Sequence, residues 1–154
     1  MKYTFTALEQ RTLQIAKGFV GTRETTGRND GPVVSRFQRF VANGASWLLG
    51  KAWCVCFVLY CAKMAARDRK LRSCLPLTAS SSVLYGWLKR EGLALTHPRP
   101  GCIGFLRGGP TGHRHTFLVH DVQDGVLVTV EGNLRNGVRW NRRPADGCDF
   151  GLTC

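Results

Sequence analysis

The chain reads as an α+β protein, with helices in its first part and an antiparallel β-sheet in its second. Three observations predict this. Apolar residues recur at helical spacing up to about residue 92. Beyond about residue 100 the repeat shortens to two. The second part also carries two sharp hairpin signals, Asp124-Gly125 and Asn136-Gly137. A length of 154 residues suits one domain with room for a core, helical over about 1–92 and sheet over about 100–154. No internal repeat or low-complexity tract interrupts it.

The elements follow from local signals. Thr6-Ala7-Leu8-Glu9 fits a capping box, and Leu8, Thr12, Ile15 and Phe19 continue at helical spacing, so a first helix runs from about Thr6 to Gly18. A glycine- and threonine-rich loop, 21–31, leads to Pro32, suited to open a second helix capped by Asp30 or Gly31. That helix carries the apolar stripe Val33, Val34, Phe37, Phe40 and Val41. The run Ala52 to Ala62, between Lys51 and Lys63, is hydrophobic on all sides and marks a buried third helix ending near Ala66. It is too short to cross a bilayer, which takes ~20 apolar residues. Arg67 to Leu77 reads as a polar connector. Thr78 or Ser80 caps a fourth helix bearing Val83, Leu84, Trp87 and Leu88, closed by Gly92. Strands are then expected over Cys102–Leu106, Thr116–Val122 and Val126–Glu131, followed by Val138–Trp140 and an edge strand over Phe150–Leu152.

Twenty-two basic against ten acidic residues give a formal charge of +12. Such a field concentrates a polyanion: nucleic acid, anionic lipid or an acidic envelope. The clusters Arg67–Arg72 and Arg139–Arg143 contribute, and each by itself reads as a solvated surface. The first residues, Met1 to Thr6, lack the apolar segment and cleavage site of a secretory signal. The protein is therefore expected to be made in the cytoplasm, and to stay there or be delivered by another route. Seven cysteines leave at least one unpaired. Cys54 and Cys56 point in different directions on one helix and do not suit a mutual disulfide, whereas Cys148 and Cys154 can close a small carboxy-terminal loop. No pair of C-x-x-C or H-x-x-x-H elements points to a structural zinc site, and no cofactor is expected.

Cys54 stands at the start of the buried helix, where unpaired N–H groups and the helix dipole favour a thiolate. A nucleophilic thiol needs a base, and the base needs a group to orient it. Among His97, His113, His115 and His120, the first lies in a proline-rich loop and the last sits deep in a strand. His113 and His115 bracket the mouth of the second strand. The hairpin at Asp124-Gly125 brings Glu131 and Asn133 back beside His115, placing a carboxylate and an amide next to the base.

These pieces together resemble the CHAP domains, the cysteine, histidine-dependent amidohydrolase/peptidases, which share a papain-like core with the NlpC-type wall hydrolases. The matching stretches are Glu24–Gly27, Asn29–Pro32, Trp53–Val58, Gly101–Phe105, His115–Val119 and Glu131-Gly132-Asn133, in the family's order and across most of the chain. Residue by residue the resemblance implies Cys54 as nucleophile, His115 as base, Glu131 as orienting acid and Asn133 as a supporting polar group. His113 is the rival base, and with Trp53, Asn29 and Asp30 it is expected to face substrate. Two positions depart from the pattern: Gly101-Cys102 where Gly-Asp is usual, and Phe117 where a small residue is usual. No acidic loop of the calcium-binding kind is evident near the amino terminus.

The resemblance implies a monomeric thiol amidase or endopeptidase that cuts peptidoglycan peptides in the periplasm or outside the cell, with no metal and no nucleic acid. It would be released through a holin as a phage endolysin, or injected as an antibacterial effector countered by an immunity protein. The competing readings are a non-enzymatic basic module for nucleic acid or envelope, and a cysteine protease acting on proteins.

Overall fold

The computed structural model describes residues 6–154. Met1 to Phe5, most of the segment behind the expectation about export, lie outside the described residues. Helix α1 spans Ala7–Gly18. Its capping box forms as expected: the Glu9 N–H donates to Thr6 Oγ1 at 3.2 Å, and the Thr6 N–H donates to Glu9 Oε2 at 3.0 Å. The buried face is Glu9, Thr12, Leu13 and Ala16, rotated from the Leu8–Phe19 line that the spacing suggests. Glu9 can turn inward because the cap and Arg99 Nη2, 3.3 Å away, satisfy its carboxylate.

Helix α2 spans Pro32–Val41, with Gly31 as its cap, and buries Val34, Phe37, Gln38 and Val41. Helix α3 spans Cys54–Asp68, and Cys54 to Leu59 are buried without a break. Helix α4 spans Ser81–Arg90 under a Ser80 cap, whose hydroxyl accepts the Val83 N–H at 3.3 Å. It turns Leu84 and Leu88 inward, while Val83, expected in its apolar stripe, is 55% exposed.

The strands are β1 (Ala94–Leu95), β2 (Ile103–Arg107), β3 (His113–Gln123), β4 (Val126–Glu131), β5 (Arg139–Pro144) and β6 (Cys148–Gly151). They form one antiparallel sheet in the order β1-β6-β2-β3-β4-β5. This bears out the α+β class and corrects two details. The last strand is not an edge: β6 lies between β1 and β2, and the edge on that side is β1, too short at two residues to show a period. β3 also begins earlier than expected, so both His113 and His115 lie within it. A bulge at His120 shifts the hairpin so that Val122 pairs with Leu127 and Gln123 with Val126.

The strand period sorts the apolar side chains onto two faces. Ile103, Phe105, Leu118 and Val130 join the helices in the larger core, with Phe37, Trp53, Phe57, Leu84 and Leu88. Phe117, Val119, Leu127, Cys148 and Phe150 make a smaller core on the other face. Cys154 bonds to Cys74 rather than to Cys148, which remains a free buried thiol. The expected small loop gives way to a link across 80 residues because the tail returns beside Ser73, whose hydroxyl donates to Cys154 O at 2.6 Å. No described helix is long and apolar enough to cross a membrane.

Candidate active site

The position of Cys54 is set by the residue before it. Trp53 has no exposed surface; it stacks on Phe37 at 5.9 Å, and its indole N–H donates to Glu24 Oε1 at 2.9 Å. Burying rings of this size stabilises by roughly 1.5–3 kcal/mol each, so the head of α3 is firmly anchored. The other Glu24 oxygen accepts the Asn29 N–H at 2.9 Å, and Asp30 accepts the Thr26 N–H and hydroxyl at 2.9 and 2.8 Å. Gln38, fully buried, donates to Asn29 O at 3.0 Å and Lys51 O at 2.8 Å. Trp53, Asn29 and Asp30 therefore brace the loop that leads to Cys54. For Trp53 this corrects the expectation of substrate contact, since a ring with no exposed surface has none to offer.

Cys54 is 7% exposed and lies beside His115 on β3. Burial alone would raise its pKa. Hydrogen bonding and charge from His115, with the backbone N–H groups of Thr116 and Val55, outweigh that and leave the thiol below its ordinary value. The other four free thiols move the opposite way, all through burial: Cys56 and Cys102 up to about 12, and Cys61 and Cys148 upward. One thiol among the five is poised to ionise.

The His115 imidazole is 2.8 Å from Glu131 through Nε2, which leaves Nδ1 for the thiol. Burial works against its charge, but the partners Cys54 and Glu131 push its pKa up to about 9. Glu131 is fully buried at the end of β4. Burial is more than offset by hydrogen bonds from His115, Arg143 and Thr129, and its carboxyl falls to about 2. Arg143 Nε and Nη2 grip both oxygens at 2.9 and 2.7 Å, Thr129 Oγ1 donates at 2.6 Å, and Asn141 Nδ2 donates at 3.2 Å. The Arg143 guanidinium also lies 4.8 Å over the Phe117 ring. Phe117, one of the two departures from the family pattern, thus supports the group that holds the acid. At the other departure, Cys102 Sγ accepts the Arg99 N–H at 3.5 Å, so a turn bond survives there.

The structure brings Cys54, His115 and Glu131 into one line and leaves the other candidates outside it. Asn133 follows in a left-handed conformation (φ 58°) and makes no hydrogen bond to His115. His113 faces away, 2.7 Å from Asp149 and edge-on to Tyr85 at 4.7 Å. His97 is exposed, and His120 packs edge-on against Trp140 at 5.0 Å. Sequence reasoning gave no site role to Arg143, Thr129, Asn141, Glu24 or Gln38, although Glu24 opens one of the stretches that match the family and Arg143 ends a cluster read as solvated. For the first three the only signal was a shared face, since 129 and 131 on β4 and 141 and 143 on β5 alternate in step. No described group of three or more His, Cys, Asp or Glu side chains is arranged to hold a metal.

A thiol whose pKa is lowered at a helix start, an imidazole whose pKa is raised beside it, and a buried carboxylate behind can together deliver a nucleophile to a carbonyl and a proton to its leaving group. No family model matches the chain, and no curated protein matches it. Solved structures share its fold. The crystal structure of Ly7917 superposes with a TM-score of 0.56 at 14% identity, over 96% of this chain and 62% of that one. The crystal structure of Ly7917 with the hydrolyzing product of MDP gives a TM-score of 0.57 at 14% identity, over 94% and 62%. The chain thus spans less than two thirds of the length of these neighbours, and at this identity the likeness is one of fold.

Proposed function

We propose that the protein is a cysteine hydrolase acting on peptide bonds of peptidoglycan, of the CHAP kind that its motifs resemble. The observation that carries this reading is the chain of contacts from Cys54 to His115 to the fully buried Glu131, 2.8 Å from the imidazole, which holds the thiol low and the imidazole high. In the reaction, Cys54 Sγ attacks the amide carbonyl carbon, and the Cys54 backbone N–H receives the developing oxyanion. The tetrahedral intermediate collapses as the His115 proton passes from Nδ1 to the leaving amine. Water, deprotonated by the now neutral imidazole, then attacks the thioester and frees the acid and the thiolate. Glu131 stays ionised and holds the ring through Nε2.

The substrate class is supported by the structural neighbour that carries the hydrolyzing product of MDP, a muramyl dipeptide. The Cys74–Cys154 disulfide supports a site of action outside the reducing cytosol. Digestion of purified sacculi, read by mass spectrometry, tests the proposal. Cys54→Ala and His115→Ala should each lower cleavage by at least ~10³-fold while the fold persists, whereas His113→Ala should stay within about tenfold of the parent. Full cleavage by Cys54→Ala would refute it.

A further inference from the structure

A groove of about 350 Å³ runs beside the site, between residues 20–23 after α1 and residues 134–141, which span the β4–β5 loop and the start of β5. Its walls are built rather than loose. Gly21 N–H donates to Val138 O at 3.1 Å, Val138 N–H to Thr22 O at 3.0 Å, and Glu24 N–H to Asn136 O at 2.9 Å. A Cβ on Gly137 would stand 2.5 Å from Thr22 O, so the two segments zip together only through glycine. Arg139 staples the loop by donating to Leu134 O and Arg135 O, both at 3.2 Å. Asn133, Arg135 and Asn136 all hold positive φ, an accumulation of strain that surrounding contacts must maintain.

Both walls join the candidate active site. One ends in Glu24, which holds Trp53 next to the nucleophile; the other ends in Asn141, which donates to Glu131. The lining carries three guanidiniums, from Arg23, Arg135 and Arg139, and no carboxylate. The Arg23 and Arg135 side chains have no partner among the described residues, and Trp140, on the same rim, is 44% exposed. Unpaired, exposed guanidiniums on the rim of a groove whose backbone is hydrogen-bonded in place suit carboxylate ligands, which they can bind through two parallel N–H bonds.

We infer that this groove is a subsite for the carboxylate-bearing peptide of the substrate, seated on Arg23 and Arg135, so that the bond to be cut reaches Cys54 already tethered at one end. The inference rests on the proposed function and names the part of the substrate recognised beyond the scissile amide. The free carboxylates of a muramyl peptide have the required chemistry.

Binding can be measured on the full chain carrying Cys54→Ala, using calorimetry with a muramyl peptide in its free-acid form and in a form with every carboxylate amidated. Arg23→Gln with Arg135→Gln should weaken the free-acid ligand by about tenfold or more. Amidation should cause a similar loss in the parent, and combining the two should add little. Undiminished binding by the double variant, or equal binding of acid and amide, overturns the inference. A single-stranded oligonucleotide that binds more tightly than the muramyl peptide, and is lost on the same substitutions, assigns the groove to nucleic acid and overturns it as well. Cleavage of sacculi by the unsubstituted protein separates the two levels. Cleavage together with undiminished binding by the double variant retires the groove alone, whereas intact sacculi retire the enzymatic reading and the groove with it.

Discussion

Arg143 shows how one side chain governs the chemistry of three others. It stands opposite Leu127 in the β4–β5 register, yet its guanidinium runs along the strand to clasp Glu131 with two bonds. Removing one partner of a buried pair leaves the other charge unmatched, at a typical cost of 3–5 kcal/mol. Arg143→Ala should therefore destabilise the fold by about 3 kcal/mol in a denaturant titration, and a loss below about 1 kcal/mol would show that Glu131 finds other support. The pH dependence follows from the pair itself. The active form needs the Cys54 thiolate, present above its lowered pKa, and the His115 imidazolium, present below about 9. Activity should thus have an alkaline limb near pH 9. In Glu131→Gln, an amide that cannot stabilise the imidazolium should move that limb toward lower pH. An unmoved limb would mean that Glu131 does not set the proton affinity of His115. Cys54 and Glu131 were legible from the sequence because a helix start and a hairpin are local. Arg143 was read as solvated charge because its partner is set by strand register, which the chain order does not display.

Among the elements, α3 and the end of β4 must touch for the three groups to meet. A Cβ on Gly132 would lie 2.6 Å from Phe57 Cβ and 2.7 Å from Cγ, so glycine allows the strand to close onto the helix one turn beyond Cys54. Gly132→Ala should cost 1–3 kcal/mol through overpacking and should displace Glu131 enough to reduce activity together with stability. A variant with parental stability and activity would show that Phe57 yields freely. The helices and most strands were readable because capping residues, apolar spacing and the Asp124-Gly125 turn act within a few residues. The place of β6 inside the sheet was not, because strand order depends on contacts between distant segments. The rotated face of α1 was not either, since it turns on the Glu9–Arg99 contact across 90 residues.

At the scale of the molecule, the Cys74–Cys154 bond ties the tail that follows β6 to the connector that follows α3. A link closing so long a loop restrains the unfolded chain, typically by 2–4 kcal/mol. Reduction or Cys74→Ser should lower stability by about that amount, and an unchanged denaturation midpoint would show that hydrogen bonds such as those of Ser73 and Thr153 suffice to hold the tail. The overall charge of +12 was plain from composition, but the meeting of Arg23, Arg135 and Arg139 around one groove was not, because residues 20–23 and 134–141 come together only in the folded chain. The proposed chemistry rests on the Cys54 thiol and the His115 imidazole sharing one hydrogen bond and together forming a thiolate and an imidazolium. It is tested most directly by the rate of iodoacetamide alkylation against pH, with the modified residue identified by mass spectrometry. Labelling should fall on Cys54 and proceed at pH values below those of an ordinary thiol, and His115→Ala should return it to ordinary thiol behaviour. Labelling that rises only as an ordinary thiol ionises, or that falls on another cysteine, would contradict the pair.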